Sequence, residues 1–171
     1  MKKLKNLPES MQKDLRVAFE EITLSDGYDE LDGFSKVAIS IFNHWLTLEE
    51  YNEFLLNTDL EDKLMYLKSL QSFSSDIVKR FPVLAYRNSG RGSKRRSIFK
   101  SFLSEDNLIE YVAQKSTVSS GRFQFKLIIP NLSSVYMEGW DFTNYIYWRN
   151  EKDLSVLKGM AKDRGLFFLE V

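Results

Sequence analysis

RFQFKLIIPNLSSVYMEGWDFTNYIYWRN, residues 122 to 150, decides how the chain is read. Over 122 to 129, Phe123, Phe125, Leu127 and Ile129 alternate with Gln124 and Lys126. A period of two marks a strand, because successive side chains leave opposite faces of a sheet. Pro130 and Asn131 end the run. The next two strand-like segments, SVYMEGW (134 to 140) and TNYIYWR (143 to 149), are separated only by Asp141 and Phe142, with Gly139 a candidate bulge. That is the spacing of a tight hairpin. The pairing puts Phe123, Phe125, Leu127, Val135, Met137, Ile146 and Trp148 on a core face. Gln124, Lys126, Tyr136, Glu138, Trp140, Tyr145, Tyr147 and Arg149 then share the other.

Outward from these strands, Asn150 caps a helix that ends near Gly165, and LFFLEV closes the chain as a strand. On the other side, Ser104 caps a helix to about Gln114, with Leu108, Ile109 and Val112 on one face. The order is αβββαβ. The first half reads as helical. Pro8 opens a helix to about Leu24 through Met11, Leu15, Ala18 and Ile22. Phe34, Val37, Ala38, Ile41, Phe42, Trp45 and Leu46 recur every three or four residues, which predicts a second helix. Two capping boxes, Thr47 with Glu50 and Thr58 with Glu61, start two more, and Pro82 prevents continuation of the last. The predicted fold class is α+β: one domain over 1–171, with a helical half (1–82) packed on a mainly antiparallel sheet supplied by 83–171.

A chain of 171 residues hides roughly 70% of its unfolded surface in one core. It has no cysteine, which removes disulfides, thiolate nucleophiles and cysteine metal sites and suits a reducing compartment. No apolar run follows the basic start as in a signal peptide, and none is long enough to span a bilayer. A cytoplasmic location and no membrane partner are expected. Net charge is zero but segregated: residues 1–80 carry 15 acids and 10 bases, residues 81–171 carry 9 acids and 14 bases. Six of those bases, Arg87, Arg91, Lys94, Arg95, Arg96 and Lys100, crowd an acid-free stretch read as a basic loop, 87–101.

Signals for catalysis are thin. The single histidine, His44, lies within the predicted second helix, and no phosphate loop, nucleophile elbow or dinucleotide fingerprint occurs. Asp26, Asp29, Glu30 and Asp32 are close in sequence but lack the spacing of a calcium loop. The αβββαβ order is similar to the core topology of metal-dependent nucleases, without their acid-x-lysine triplet on the third strand. No catalytic residue, metal or cofactor is assigned, and the balance falls against an enzyme.

Two surfaces remain. The face bearing Tyr136, Glu138, Trp140, Tyr145, Tyr147 and Arg149 has the composition of an interface hot spot, and either Asp26, Asp29, Glu30 and Asp32 or the basic loop would steer an oppositely charged partner toward it. This points to a binding protein that occludes a protein partner such as a toxin or nuclease, in the manner of a toxin antidote, an immunity protein or a phage-encoded inhibitor. The alternative is a nucleic-acid or nucleotide-phosphate binder using Arg87, Arg91, Lys94, Arg95, Arg96 and Lys100.

Overall fold

The computed structural model describes residues 3–20, 31, 33–91, 94–113, 125–139 and 142–171. Along the chain run β1 (Leu4–Asn6), α1 (Glu9–Ala18), β2 (Ser35–Ser40), α2 (Leu48–Asn57), α3 (Leu60–Arg80), β3 (Leu84–Ser89) and β4 (Arg96–Phe102). There follow α4 (Glu105–Tyr111), β5 (Lys126–Ile129), β6 (Ser134–Glu138), β7 (Thr143–Trp148), α5 (Glu151–Lys162) and β8 (Phe167–Glu170). The eight strands form one sheet in the order β1-β4-β3-β5-β6-β7-β2-β8, antiparallel at every pairing. The fold class is α+β, and the αβββαβ order of the second half holds as α4-β5-β6-β7-α5-β8.

The first half is less helical than its periodicity predicts. Residues 35–40 form a strand between β7 and β8 rather than part of a helix over 34–46. Val37, Ala38 and Ile39 are buried because both faces of the sheet are covered. A strand buried on both faces loses its period of two, and its unbroken apolar run then passes for a helical stripe. Ile39, fully buried, falls off the predicted helical face but continues the side of Val37; β-branched residues at 37, 39 and 41 are the strand signal.

The β6–β7 hairpin differs from expectation by one residue. Glu138 pairs with Asn144 and Tyr136 with Ile146, so the connection spans residues 139–143 instead of two residues. Because side chains alternate, that slip exchanges the faces of β6. Leu127, Tyr136, Ile146 and Val37 stand in one row, while Ile128, Val135, Tyr147 and Lys36 stand in the next, pointing the opposite way. Two backbone features hold the slip. The Gly139 N–H donates to the Thr143 carbonyl at 3.0 Å, and a Cβ at Gly139 would lie 2.5 Å from that oxygen and 2.6 Å from the Tyr145 ring. Phe142 takes a positive φ of 58° with its ring buried, a conformation bulky residues adopt only under constraint.

Each face has its own cover. Over the first lie Leu70, Phe73, Ile77 and Val78 of α3, Leu154, Leu157 and Ala161 of α5, and Val112 just past α4. Tyr136 sits under α3, its ring 5.9 Å from that of Phe73; its hydroxyl shares a 2.7 Å hydrogen bond with Ser74 and accepts one of 2.7 Å from Asn144 Nδ2. Burial pushes the ionisation of this phenol well above the ordinary tyrosine value. Over the second face, Leu15 of α1, with Phe19, Leu31 and Phe34, covers Tyr86, Phe99, Ile128, Val135, Met137 and Tyr147.

Helix α1 also closes an edge. Strand β1 is three residues long, so it leaves β4 unpaired beyond Lys100. There Gln12 donates to the Phe99 carbonyl at 2.6 Å and accepts from its N–H at 3.0 Å, and Arg16 donates to the Ser97 carbonyl at 3.3 Å. Two side chains thus take the place of a strand at an exposed sheet edge. Gln12, rather than Met11, is the buried residue of this helix, and Met11 is exposed.

Gln12→Leu keeps the volume but leaves a buried N–H and C=O without partners, so it is expected to lower unfolding free energy by ~1–3 kcal/mol in urea titrations. Gly139→Ala is expected to cost at least as much, about 2–4 kcal/mol, since the backbone of the register-setting turn must move.

Candidate functional site

With both faces of the sheet covered, the exposed large hydrophobics of the described residues are concentrated where the chain leaves β2. Ser40 turns it: its Oγ accepts from the Phe42 N–H at 3.2 Å and from Thr143 Oγ1 at 3.2 Å. Phe42 then meets Phe54 of α2 at 5.0 Å between ring centres, and Phe54 meets the buried Phe142 at 5.4 Å. The Trp45 Nε1–H donates to the Glu170 carbonyl of β8 at 2.7 Å. The start of α2 is fixed by the capping box read from the sequence: Thr47 Oγ1 accepts from the Glu50 N–H at 3.2 Å, and a Glu50 carboxylate oxygen accepts from the Thr47 N–H at 2.8 Å. At α3 the cap is one residue later than expected, with Asp59 accepting from the Asp62 N–H at 2.9 Å.

Helix α2 is held by an edge-on ring cluster and has no buried residue. Of the eleven large hydrophobics exposed among the described residues, six fall within residues 45–65: Trp45, Leu48, Leu56, Leu60, Leu64 and Met65. Leu56 is 84% exposed and Leu60 72%. The same 21 residues carry six acids, Glu49, Glu50, Glu53, Asp59, Glu61 and Asp62, against one base, Lys63. Lys63 Nζ donates to the Leu55 carbonyl at 2.7 Å, tying α3 back to α2. Two hollows border this surface. A cleft of about 260 Å³ opens between Ser40, His44, Trp45, Leu48, Tyr51 and Tyr145, and a shallow groove runs along α3 past Leu64, Leu67 and Gln71 to Arg164.

His44 lies in the segment between β2 and α2, exposed, with Nδ1 2.7 Å from Asn43 Oδ1 and Nε2 3.2 Å from Glu50 Oε1. This ties the ring to the cap. Its place in a helix, expected from the sequence, fails with the helix itself. Among the described residues no group of three or more His, Asp or Glu is arranged to hold a metal ion.

The described members of the proposed aromatic interface do not share one exposed surface. Tyr136 is buried on the first face and Tyr147 on the second, both with no exposed area. Glu138 is buried beside the Phe125 N–H. Tyr145 is half-buried, with Lys36 Nζ 4.5 Å from its ring centre. Arg149 is exposed but stacks 4.1 Å over Phe34 and donates to the Ala18 carbonyl at 3.0 Å, so it fastens the end of α1. Trp140, Asp26, Asp29, Glu30 and Asp32, like Phe123 and Gln124, lie outside the described residues.

The basic segment is a β-hairpin rather than a loop: β3 and β4 pair from Ala85 with Lys100 to Ser89 with Arg96. Gly90 turns it with φ 92°, and a Cβ there would meet the Lys94 carbonyl at 2.3 Å. Strand parity places Arg87, Arg96 and Lys100 on one side, away from Tyr86 and Phe99. Arg87, Arg91, Lys94 and Arg96 are exposed, and Lys100 is half-buried. Arg95 is half-buried near Lys126, whose ammonium is shifted below the ordinary lysine value by burial and then by that charge.

Comparison with known proteins finds no family model, no curated protein and no solved structure that matches the chain.

Glu50 is held below the ordinary carboxylate value, first by the Thr47 N–H and then by His44. Its contribution to the start of α2 is therefore present above the unfolded-state pKa and lost as pH falls through the folded one. The Thr47 amide resonance is expected to titrate with an inflection below the ordinary glutamate range, and to stay flat over that range in Glu50→Gln.

Proposed function

We propose that the protein is a small non-enzymatic binding protein that acts by covering a protein partner, as a toxin antidote, an immunity protein or a phage-encoded inhibitor does. Its contact face in this reading is α2 with the first half of α3. The supporting observation is the concentration of Trp45, Leu48, Leu56, Leu60, Leu64 and Met65 on one exposed segment rimmed by acids. Contiguous exposed apolar surface costs solubility and marks an interaction site when polar residues rim it. The apolar centre supplies affinity on desolvation, and the acids steer and orient a basic partner.

The alternative, phosphate binding at β3–β4, is favoured by one observation: Arg87, Arg96 and Lys100 project from one side of the hairpin as a row of cations. Such binding would weaken steeply with salt. A salt-independent or undetectable shift with single- and double-stranded oligonucleotides removes it.

Capture from the source cell separates the two. The intact chain is expected to retain a stoichiometric protein partner, while Leu56→Glu with Leu60→Glu weakens that complex at least about 30-fold, equivalent to ~2 kcal/mol. Both side chains are exposed, so the melting temperature should barely change. Equal retention by the double variant contradicts the assignment of the face.

A further inference from the structure

The acids of α2–α3 and the cations of β3–β4 do not neutralise each other within one chain. Among the described residues, none of Glu49, Glu53, Glu61 or Asp62 makes an ion pair, and neither do Arg87, Arg91, Lys94, Arg96 or Lys100. The topology accounts for this. Strand β3 is separated from β2, whose end leads into α2, by β5, β6 and β7. Four strand spacings are ~19 Å, beyond the screening length of ~8 Å at physiological ionic strength. The molecule carries two complementary surfaces that one copy cannot join.

We propose that the β3–β4 hairpin of one copy docks on the α2–α3 face of a second, so that the chain associates with itself head to tail. This rests on the reading of α2–α3 as a docking face and names an occupant for it. The fit is chemical as well as electrostatic. Arg87 and Arg96 flank Ile98 on one side of the hairpin, and their aliphatic stems can cover Leu56, Leu60 and Leu64 while the guanidinium groups reach Glu49, Glu53 and Glu61. Because the two surfaces differ, the contact is heterologous and continues from copy to copy until a ring closes or the chain of contacts ends. Self-association would hold the apolar face out of water until a partner with a stronger basic surface displaces it.

Sedimentation velocity of the full chain tests this. At low salt the sedimentation coefficient is expected to rise with protein concentration, and at high salt to return to that of the monomer. Glu49→Gln with Glu53→Gln neutralises the acidic face alone, and Arg87→Gln with Arg96→Gln neutralises the hairpin alone; each variant should be monomeric. An equimolar mixture retains one intact hairpin and one intact face, and should form a dimer that grows no further. Arg91→Gln with Lys94→Gln, in the turn, replaces the strand pair if that pair fails to fold. A wild-type chain monomeric at every salt and concentration, association that survives in either variant, or a mixture that stays monomeric overturns the proposal. Partner capture with the Leu56→Glu, Leu60→Glu variant is a separate readout, so a monomeric chain whose capture is lost in that variant defeats self-association and leaves the docking face standing.

Discussion

The turn at residues 139–143 sets which side chains meet which helices. Gly139 bonds across it to Thr143, in a space that admits no Cβ. Through that contact Glu138 faces Asn144, and the parity of β6 relative to β7 follows. Tyr136 is directed under α3 to bond Ser74 and Asn144, and Val135 and Met137 are directed under α1 with Tyr147. A turn one residue shorter would bring the phenol of Tyr136 to the α1 side and methionine and valine against Ser74, trading a satisfied buried hydroxyl for an unsatisfied one.

Covering both faces fixes the place of the buried rings. Tyr136 and Tyr147 are core residues that stabilise the fold. Six of the eleven large hydrophobics exposed among the described residues gather instead in residues 45–65, a segment tied down by Phe54, the Trp45 indole and the Thr47–Glu50 cap. Charge divides along the same line, with acids on this segment and cations on the β3–β4 hairpin.

Much of the second half was legible because its strands alternate and its helices carry caps: Ser104 and Asn150 cap α4 and α5 as read. What failed did so for identifiable reasons. Residues 34–46 mimic a helix because a doubly buried strand has no polar side to show. The hairpin register turned on one residue, and the sequence marks Gly139 without stating that Phe142 takes a left-handed backbone. The basic stretch hid two strands because Arg87, Arg96 and Lys100 interrupt one side of the hairpin, although Tyr86 and Phe99 pair on the other. The α2–α3 surface was missed because Leu60 and Leu64 continue the stripe of Leu70 and Ile77; only their exposure, while Tyr66 and Leu67 pack on the core, separates these leucines from core ones.

The central claim is that the tyrosines of β6 and β7 are interior while the leucines of α2–α3 are outside. Hydroxyl-radical footprinting of the intact chain, dilute and at high salt so that copies do not associate, read residue by residue by mass spectrometry, tests it most directly. Trp45, Leu56, Leu60 and Met65 should be modified rapidly, and Tyr136 and Tyr147 should be protected until the chain unfolds. Modification of Tyr147 in the native protein at a rate comparable to Trp45, with Leu56 and Leu60 protected, would contradict the account.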